Sequence, residues 1–390
     1  MRILFVIPYF YPAASFGGPV RVAYDLGREL VKRGHELVVF TSNAKDWTCR
    51  LAAETDLVEG MVVHYFKNLS MFFVSKSNLF LTPDLLRKMQ LDLKSFDLVH
   101  AHEYTTSQNI LLHHFARKYD VPYVLQVHGS LPKLGRAGRK WVFETLFGRR
   151  LLRDSSKVIA LSRLEAEQYR HVGVPDEKIR VIPNGIDSRG FSDPSVKGSF
   201  KRKFGIQDNR KIILYLGRVN RQKGLELLIR AYSHLVKRMS CKNALLVIAG
   251  PDDGYLTEAR SLVASQGIHD SVLFTGFVDN KEKIGVLADA TLFVTPKYCG
   301  FPITFLEACS AGTPIVTTTL GDGLEWIDHR VGFVTPPNPF DLARAFDTII
   351  SDADLTSQLS RNCRKIVSSD FSLEKVVNKL EQVYAEVVHD

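Results

Sequence analysis

Short, nearly unbroken apolar runs alternate along this chain with longer segments whose apolar residues recur every three or four positions. The runs include RILFVIPYF from Arg2, ELVVFTS from Glu36, FDLVHAHEY from Phe96, PYVLQVHG from Pro122, KVIALS from Lys157 and IRVIPNGID from Ile179. Runs this short and this apolar suit strands covered on both faces. Between them, GGPVRVAYDLGRELVKRGH places Val22, Leu26, Leu30 and Val31 on one helical face, and Gly34 stops it. Strand–helix alternation of this kind predicts a mostly parallel, doubly wound α/β sheet.

The texture changes over residues 187–205, DSRGFSDPSVKGSFKRKFG, which are polar, carry Gly, Ser and Pro, and show no apolar period. They read as a link between domains. A second alternating set follows, from KIILYLG at Lys211 to DLARAFDTII at Asp341, and an amphipathic helix, SLEKVVNKLEQVYAEVV, ends the pattern. The expected organisation is a Rossmann-like domain over 1–187, a second over 188–370, and a last helix over 371–390. One apolar stretch, LSMFFVSKSNLFLTP at 69–83, fits no regular element and reads as a loop facing lipid or acceptor, or as a buried edge.

A chain of 390 residues is long enough for two cores. No apolar run approaches the roughly 18 residues of a membrane span, and Pro8 and Pro12 interrupt the first run, so it reads as a buried strand rather than a leader. Five scattered cysteines show no metal spacing and suit reduced thiols in a cytoplasmic protein. The formal charge of +9 is unevenly spread. Residues 132–153 hold Lys133, Arg136, Arg139, Lys140, Arg149, Arg150 and Arg153 against Glu144, interleaved with Trp141, Phe143 and Phe147. Such a segment suits an anionic membrane surface or an ordinary solvated helix face. No recognition motif supports nucleic-acid binding.

In doubly wound domains, ligands bind beyond the carboxyl ends of the strands, and a cleft is expected between two such domains. Arg218 and Lys223, in RVNRQKG, follow the strand KIILYLG and precede a helix. Two cations at a helix start repel its positive end unless an anion such as a diphosphate lies between them; solvated surface cations are the alternative. In KYCGFPITFLEACSAGTPIV, Gly300, Phe301 and Pro302 lead into a helix, with Pro302 expected in its first turn. The amides of Ile303 and Thr304 then form an anion site. Glu307 stabilises the helix start or accepts from ribose hydroxyls. Gly17 and Gly18 open the first helix of the chain without a GxGxxG pattern, so a dinucleotide reading is weak. His128 ends a strand, as a satisfied core residue or a catalyst. His100 and His102 share a strand face but lack an evident third metal ligand.

Taken together, GRVNRQKGLELLIRA, GFPITFLEACSAGTPIV, VIPNGID, VHAH, QVHG and GFVTPPNPFDLARAF resemble glycosyltransferase family 4 in content and order, from Met1 to about Val388. The resemblance implies the GT-B fold and retaining transfer of a hexose from a UDP- or GDP-sugar to a hydroxyl acceptor, without an essential metal or other cofactor. It implies that Arg218 and Lys223 bind the donor diphosphate and that Glu307 holds the ribose. Gly17 and Gly18 would lie near the diphosphate and acceptor, and His128 near the donor sugar. The backbone of Phe277 and Val278 would read the base. Cys299 stands where the family's motif has its first acid, and a thiol cannot replace a carboxylate's charge-assisted bonds to donor hydroxyls, each worth about 1.5–3 kcal/mol. Altered donor recognition is the favoured consequence. A degenerate binding protein, or a GT-B epimerase or phosphorylase, is the rival reading. The basic aromatic segment suggests a lipid-linked or glycan acceptor and peripheral membrane association.

Overall fold

The computed structural model describes residues 1–131, 143–191, 193–239, 241–298 and 300–389. Contacts divide the chain into two compact units, Met1–Gly185 with Leu373–Asp390, and Ile186–Ser372.

Among the described residues, unit 1 has β1 (Arg2–Val6), β2 (Glu36–Ser42), β3 (Thr55–Val58), β4 (Met61–Phe66), β5 (Leu98–His102), β6 (Tyr123–Gln126), β7 (Lys157–Ala160) and β8 (Ile179–Val181). They form one sheet in the order β3-β4-β2-β1-β5-β6-β7-β8. Only the β3–β4 pair is antiparallel; the rest of the ladder is parallel. Its helices are α1 (Gly18–Lys32), α2 (Met71–Ser77), α3 (Pro83–Asp92), α4 (Ser107–Tyr119), α5 (Arg149–Asp154) and α6 (Arg163–His171). Alternation along β1 explains why the sheet is covered on both sides. Leu4 and Val6 enter one core with Leu112 and Leu152, while Ile3 and Phe5 enter another with Leu26 and Leu30 of α1.

The helix Leu373–His389 completes that second core. Val376, Val377, Leu380, Val383, Tyr384 and Val387 are all buried on its apolar stripe, and each such side chain contributes about 1.5–3 kcal/mol. Arg33, just past α1, ties the helix down by donating to Glu381 at 2.6 Å and Asn378 at 2.5 Å.

Unit 2 has β9 (Lys211–Leu216), β10 (Ala244–Ala249), β11 (Val272–Gly276), β12 (Ala290–Thr295), β13 (Ile315–Thr318) and β14 (Gly332–Thr335), in the order β11-β10-β9-β12-β13-β14. Every pairing is parallel. Its helices are α7 (Ser199–Lys203), α8 (Leu225–Arg238), α9 (Leu256–Ser265), α10 (Asn280–Asp289), α11 (Ile303–Ala311), α12 (Pro339–Ser351) and α13 (Ala353–Asp370).

Three local readings change. The stretch 69–83 is not a featureless loop: Ser70 caps α2 by accepting from the Phe72 amide at 3.2 Å, and Asn78 ends it at φ 50°. Its periodicity is masked because Phe72 and Phe73 both stay exposed. The link at 187–205 is partly structured and belongs to unit 2. Phe200 of α7 is buried, and the Asp289 carboxylate accepts from the amides of Gly198 and Lys201. Pro302 lies outside the first helical turn. With ψ 125° it is the residue before α11, which begins at Ile303.

Candidate functional site

The order of unit 2 fixes where its chemistry gathers. From β9 the chain runs outward to β10 and β11, then returns on the other side of β9 as β12. The topological switch point therefore lies between β9 and β12, where the loops after both strands form a crevice. The first of these loops carries Arg218 and Lys223; the second runs from Pro296 into α11. Gly224 shows that they touch. It takes φ 77°, and a Cβ there would lie 3.0 Å from Pro296 Cβ and 3.4 Å from Lys297 Cβ. A residue with a side chain would be strained in conformation and crowded in space.

Lys223 ends a tight turn, Arg221–Lys223, that Asn220 opens by accepting from the Gln222 amide at 2.8 Å. Arg218 is half exposed and already has an anionic partner. Its Nη1 donates to Asp253 Oδ2 at 2.9 Å, and Asn220 Nδ2 donates to the same oxygen at 3.0 Å. Asp253 lies in the loop after β10. The backbone joins these loops as well, through Val219 N to Pro251 O at 2.9 Å and Asp253 N to Val219 O at 3.1 Å. The repulsion expected between two cations and a helix start is thus relieved in part by a carboxylate of the protein itself.

Glu307 is 4% exposed, one turn beyond the start of α11. Lys283 of α10 donates to its Oε1 at 2.5 Å. Sequence reasoning missed Lys283, although a signal for its helix was present. Asp279 and Glu282 form a reciprocal capping box that starts α10 and sets Lys283 in its first turn. Ile303 and Thr304 are the first two residues of α11, so their amides have no acceptor within the helix. Gly300 N donates to Asp322 Oδ2 at 3.1 Å. Phe301 is a packing residue: its buried ring meets Trp326 and Phe371 at 5.6 and 5.4 Å between centroids. Phe277 and Val278 follow the edge strand β11, with Phe277 72% exposed. Cys299 lies outside the described residues.

In unit 1, His128 and Gly129 both take positive φ, 54° and 74°. Glu165 of α6 holds the turn by accepting from the amides of Gly129 at 2.7 Å and Leu161 at 2.5 Å. His128 Nε2 lies 3.0 Å from His102 Nδ1, and His102 stacks on His100 at 4.2 Å. His100 Nδ1 is bonded to Tyr384 OH at 2.6 Å. Burial pushes the pKa of His128 and of His100 down to about 3, and that of His102 downward too. These rings are neutral at physiological pH. Among the described residues, no group of three or more His, Cys, Asp and Glu is placed to hold a metal ion.

Gly17, at φ 95°, precedes α1, and among the described residues none apart from its chain neighbours comes within 4 Å of where its Cβ would stand; Gly18 is the first helical residue. Residues 132–142 of the basic segment lie outside the described residues. In its described part Leu151 and Leu152 of α5 are buried, while Leu146 and Phe147 are exposed. No helix among the described residues is long and apolar enough to cross a membrane.

Comparison with known proteins decides the family. Residues 16–189 match Glycosyltransferase Family 4, and residues 196–366 match Glycosyl transferases group 1. An uncharacterized glycosyltransferase of Methanocaldococcus jannaschii is 30% identical over 97% of both chains. The chain belongs to glycosyltransferase family 4. Another relative of this glycosyltransferase is N-acetyl-alpha-D-glucosaminyl L-malate synthase of Bacillus anthracis, 26% identical over 97% of this chain and 96% of the other. Among solved structures, Anabaena HepE in complex with UDP and glucose superposes with a TM-score of 0.80 at 20% identity, over 99% of this chain and 100% of the other. Sucrose-phosphate synthase of Thermosynechococcus elongatus gives 0.78 at 19% identity, over 99% of both chains. The fold of this glycosyltransferase is GT-B, with a Rossmann-like sheet in each unit.

Proposed function

We propose that this glycosyltransferase transfers a hexose from a UDP- or GDP-sugar to a hydroxyl acceptor, with retention at the anomeric carbon. The observation that carries the donor half is the meeting of the Lys223–Gly224 turn with the Pro296–Lys297 segment at the switch point of unit 2. That meeting puts the loop of Arg218 and Lys223 and the start of α11 at one end of one sheet, residues of a kind suited to a diphosphate. The complexes of HepE with UDP and with UDP-glucose support a nucleotide-sugar donor.

In this reading Glu307 accepts from ribose hydroxyls through the oxygen that Lys283 does not take, and the backbone at Phe277 and Val278 reads the base. The acceptor oxygen attacks the anomeric carbon on the face from which the diphosphate leaves. The C–O bond forms as the carbon–phosphate oxygen bond breaks, and the acceptor proton passes to the departing phosphate oxygen. Lys223, Arg218 and the α11 amides stabilise the charge growing on that group. No metal or other cofactor takes part. The family resemblance assigns His128 to the donor sugar, and Gly17 and Gly18 to the diphosphate and acceptor. Cys299, in the place of the motif's first acid, changes the donor sugar accepted rather than abolishing transfer.

We assign the acceptor to a glycan or lipid-linked class and the protein to the cytoplasmic face of a membrane, reached through residues 132–153. Alpha-monoglucosyldiacylglycerol synthase of Streptococcus pneumoniae, 27% identical over 81% of this chain and 70% of the other, supports a lipid acceptor by its name. Titration calorimetry with UDP and GDP, followed by mass-spectrometric donor screening, tests the proposal. Lys223→Ala is expected to weaken nucleotide binding at least about tenfold. Wild-type protein that bound neither nucleotide would remove the donor reading.

A further inference from the structure

A further loop of unit 2 carries a carboxylate that the donor reading leaves unused. β13 pairs with β12 in parallel, on the side away from β9, so the loop after β13 leaves the same end of the sheet as the Pro296 segment. Thr318 ties the two together by donating to Pro296 O at 2.6 Å. Gly321 then lies against the ring of Tyr298: a Cβ there would overlap the ring and stand 2.8 Å from its hydroxyl oxygen. A residue without a side chain is needed for so close an approach. Asp322 follows, and its Oδ2 accepts from Gly300 N at 3.1 Å. Trp326 anchors the far end of the loop, stacked on Phe301 at 5.6 Å and 25° between planes.

Two polar groups are left over in this arrangement. Asp322 is partly exposed, and among the described residues its Oδ1 has no partner and no Lys or Arg neutralises it. Tyr298 is 4% exposed, and its hydroxyl has no hydrogen-bond partner among the described residues. A buried hydroxyl left unpaired carries a cost that a ligand rich in hydroxyls relieves. Burial, with the carboxylates of Asp322 and Glu325 nearby, pushes the Tyr298 pKa upward. The group therefore stays a phenol that can donate as well as accept.

The place of this carboxylate in the chain gives it a role. Gly300, whose amide Asp322 holds, directly follows Cys299, the position at which the family's motif has its first acid. The acid absent there is present on the neighbouring loop, bonded to the next residue's amide.

We propose that Asp322 replaces the acid missing at position 299, its Oδ1 accepting from hydroxyls of the donor sugar and the Tyr298 hydroxyl making a second polar contact, so that the loop after β13 selects the sugar transferred. This rests on the transferase reading above and deepens it to a substrate class, a neutral hexosyl group with free hydroxyls. A uronic acid donor brings a second carboxylate to Asp322 and is disfavoured by like charge.

The test is titration calorimetry on the full chain with UDP, GDP, UDP-glucose, UDP-N-acetylglucosamine and GDP-mannose, the tightest-binding sugar nucleotide being carried into the variants. Asp322→Asn keeps an acceptor for Gly300 N and removes the charge. It should weaken that sugar nucleotide at least about tenfold, as loss of charge-assisted bonds implies, and leave the parent nucleotide within about twofold. Adding Cys299→Glu to Asp322→Asn should recover the affinity for the sugar nucleotide. The matching uronic acid donor, UDP-glucuronate or GDP-mannuronate, should bind wild type less tightly than its neutral counterpart. Urea unfolding midpoints check that each variant folds. Unchanged affinity in Asp322→Asn, a loss shared equally by the parent nucleotide, no recovery in the double variant, or equal or tighter binding of the uronic acid donor overturns the proposal. Protein that binds neither nucleotide removes the donor reading, whereas nucleotide binding with no response to Asp322→Asn sinks this inference alone.

Discussion

Lys283 of α10 donates to Glu307 Oε1 of α11 at 2.5 Å, with side-chain exposures of 22% and 6%. The carboxylate that the family resemblance assigns to ribose is therefore also one half of a nearly buried ion pair. Removing the ammonium leaves the charge without its partner, which costs more than the pair itself contributes. Lys283→Ala should destabilise the protein by about 2–4 kcal/mol, read as a lowered midpoint in urea unfolding. Adding Glu307→Gln should recover much of that loss. If the double variant is no more stable than Lys283→Ala, the pair does not act as a unit.

Asp253 competes for the group proposed to hold diphosphate. Its bond to the half-exposed Arg218 is worth at most about 1 kcal/mol, yet the carboxylate also places negative charge where phosphate is to bind. Asp253→Asn keeps the shape and removes the charge. UDP affinity measured by calorimetry should rise, by up to about fivefold. Weaker binding would mean that Asp253 aims Arg218 more than it obstructs it.

Gly224 combines a left-handed φ of 77° with the approach to Pro296. In Gly224→Ala the strain amounts to about 1–2 kcal/mol, and the turn that carries Lys223 must shift away from the Pro296 segment. The donor KM should rise more than the midpoint of unfolding falls. A variant with normal KM would show that the contact is not needed for the donor.

Acid and base act oppositely on unit 1. The unfolded chain protonates histidine near pH 6.5, while His100 and His128 stay neutral when folded down to about 3. Between those values the unfolded state binds more protons, so stability falls as pH drops, by up to about 1.4 kcal/mol per pH unit for the fully buried His100. Glu103 runs the other way. Its folded pKa of about 7 lies above the ordinary 4.5, so the stability it contributes is complete below pH 4.5 and is lost as pH rises through 7. Glu103→Gln should therefore gain stability over wild type at pH 8 and show no gain at pH 4, read by urea titration at both values.

The strands were legible because parallel strands covered on both faces leave unbroken apolar runs. α11 was legible because Gly and Pro punctuate its start. Partners were not. Lys283 and Glu307 are 24 positions apart on different helices, and no local period links them. Asp253 sits in GPDDGY, whose composition reads only as a turn. Phe301 looked like part of a ligand loop, but its ring is enclosed by Trp326 and Phe371, residues remote in sequence. Glu103 stands in the sequence only as the tail of the run FDLVHAHEY. Its partner is Tyr9, nearly a hundred residues earlier, and its φ of 67° is a backbone angle that composition does not reveal.

The chain leaves unit 1 at Gly185 and re-enters it at Leu373, which has consequences for biosynthesis. Unit 2 is an insertion whose strands and helices all emerge from the ribosome before the N-terminal sheet receives its closing helix. During translation the face of β1 and β5 that awaits Val377, Leu380 and Tyr384 stays uncovered until those residues have been made. A nascent chain that stops short of Leu373 thus exposes an apolar surface open to chaperones and proteases, and covering it depends on a contact made across almost the whole sequence.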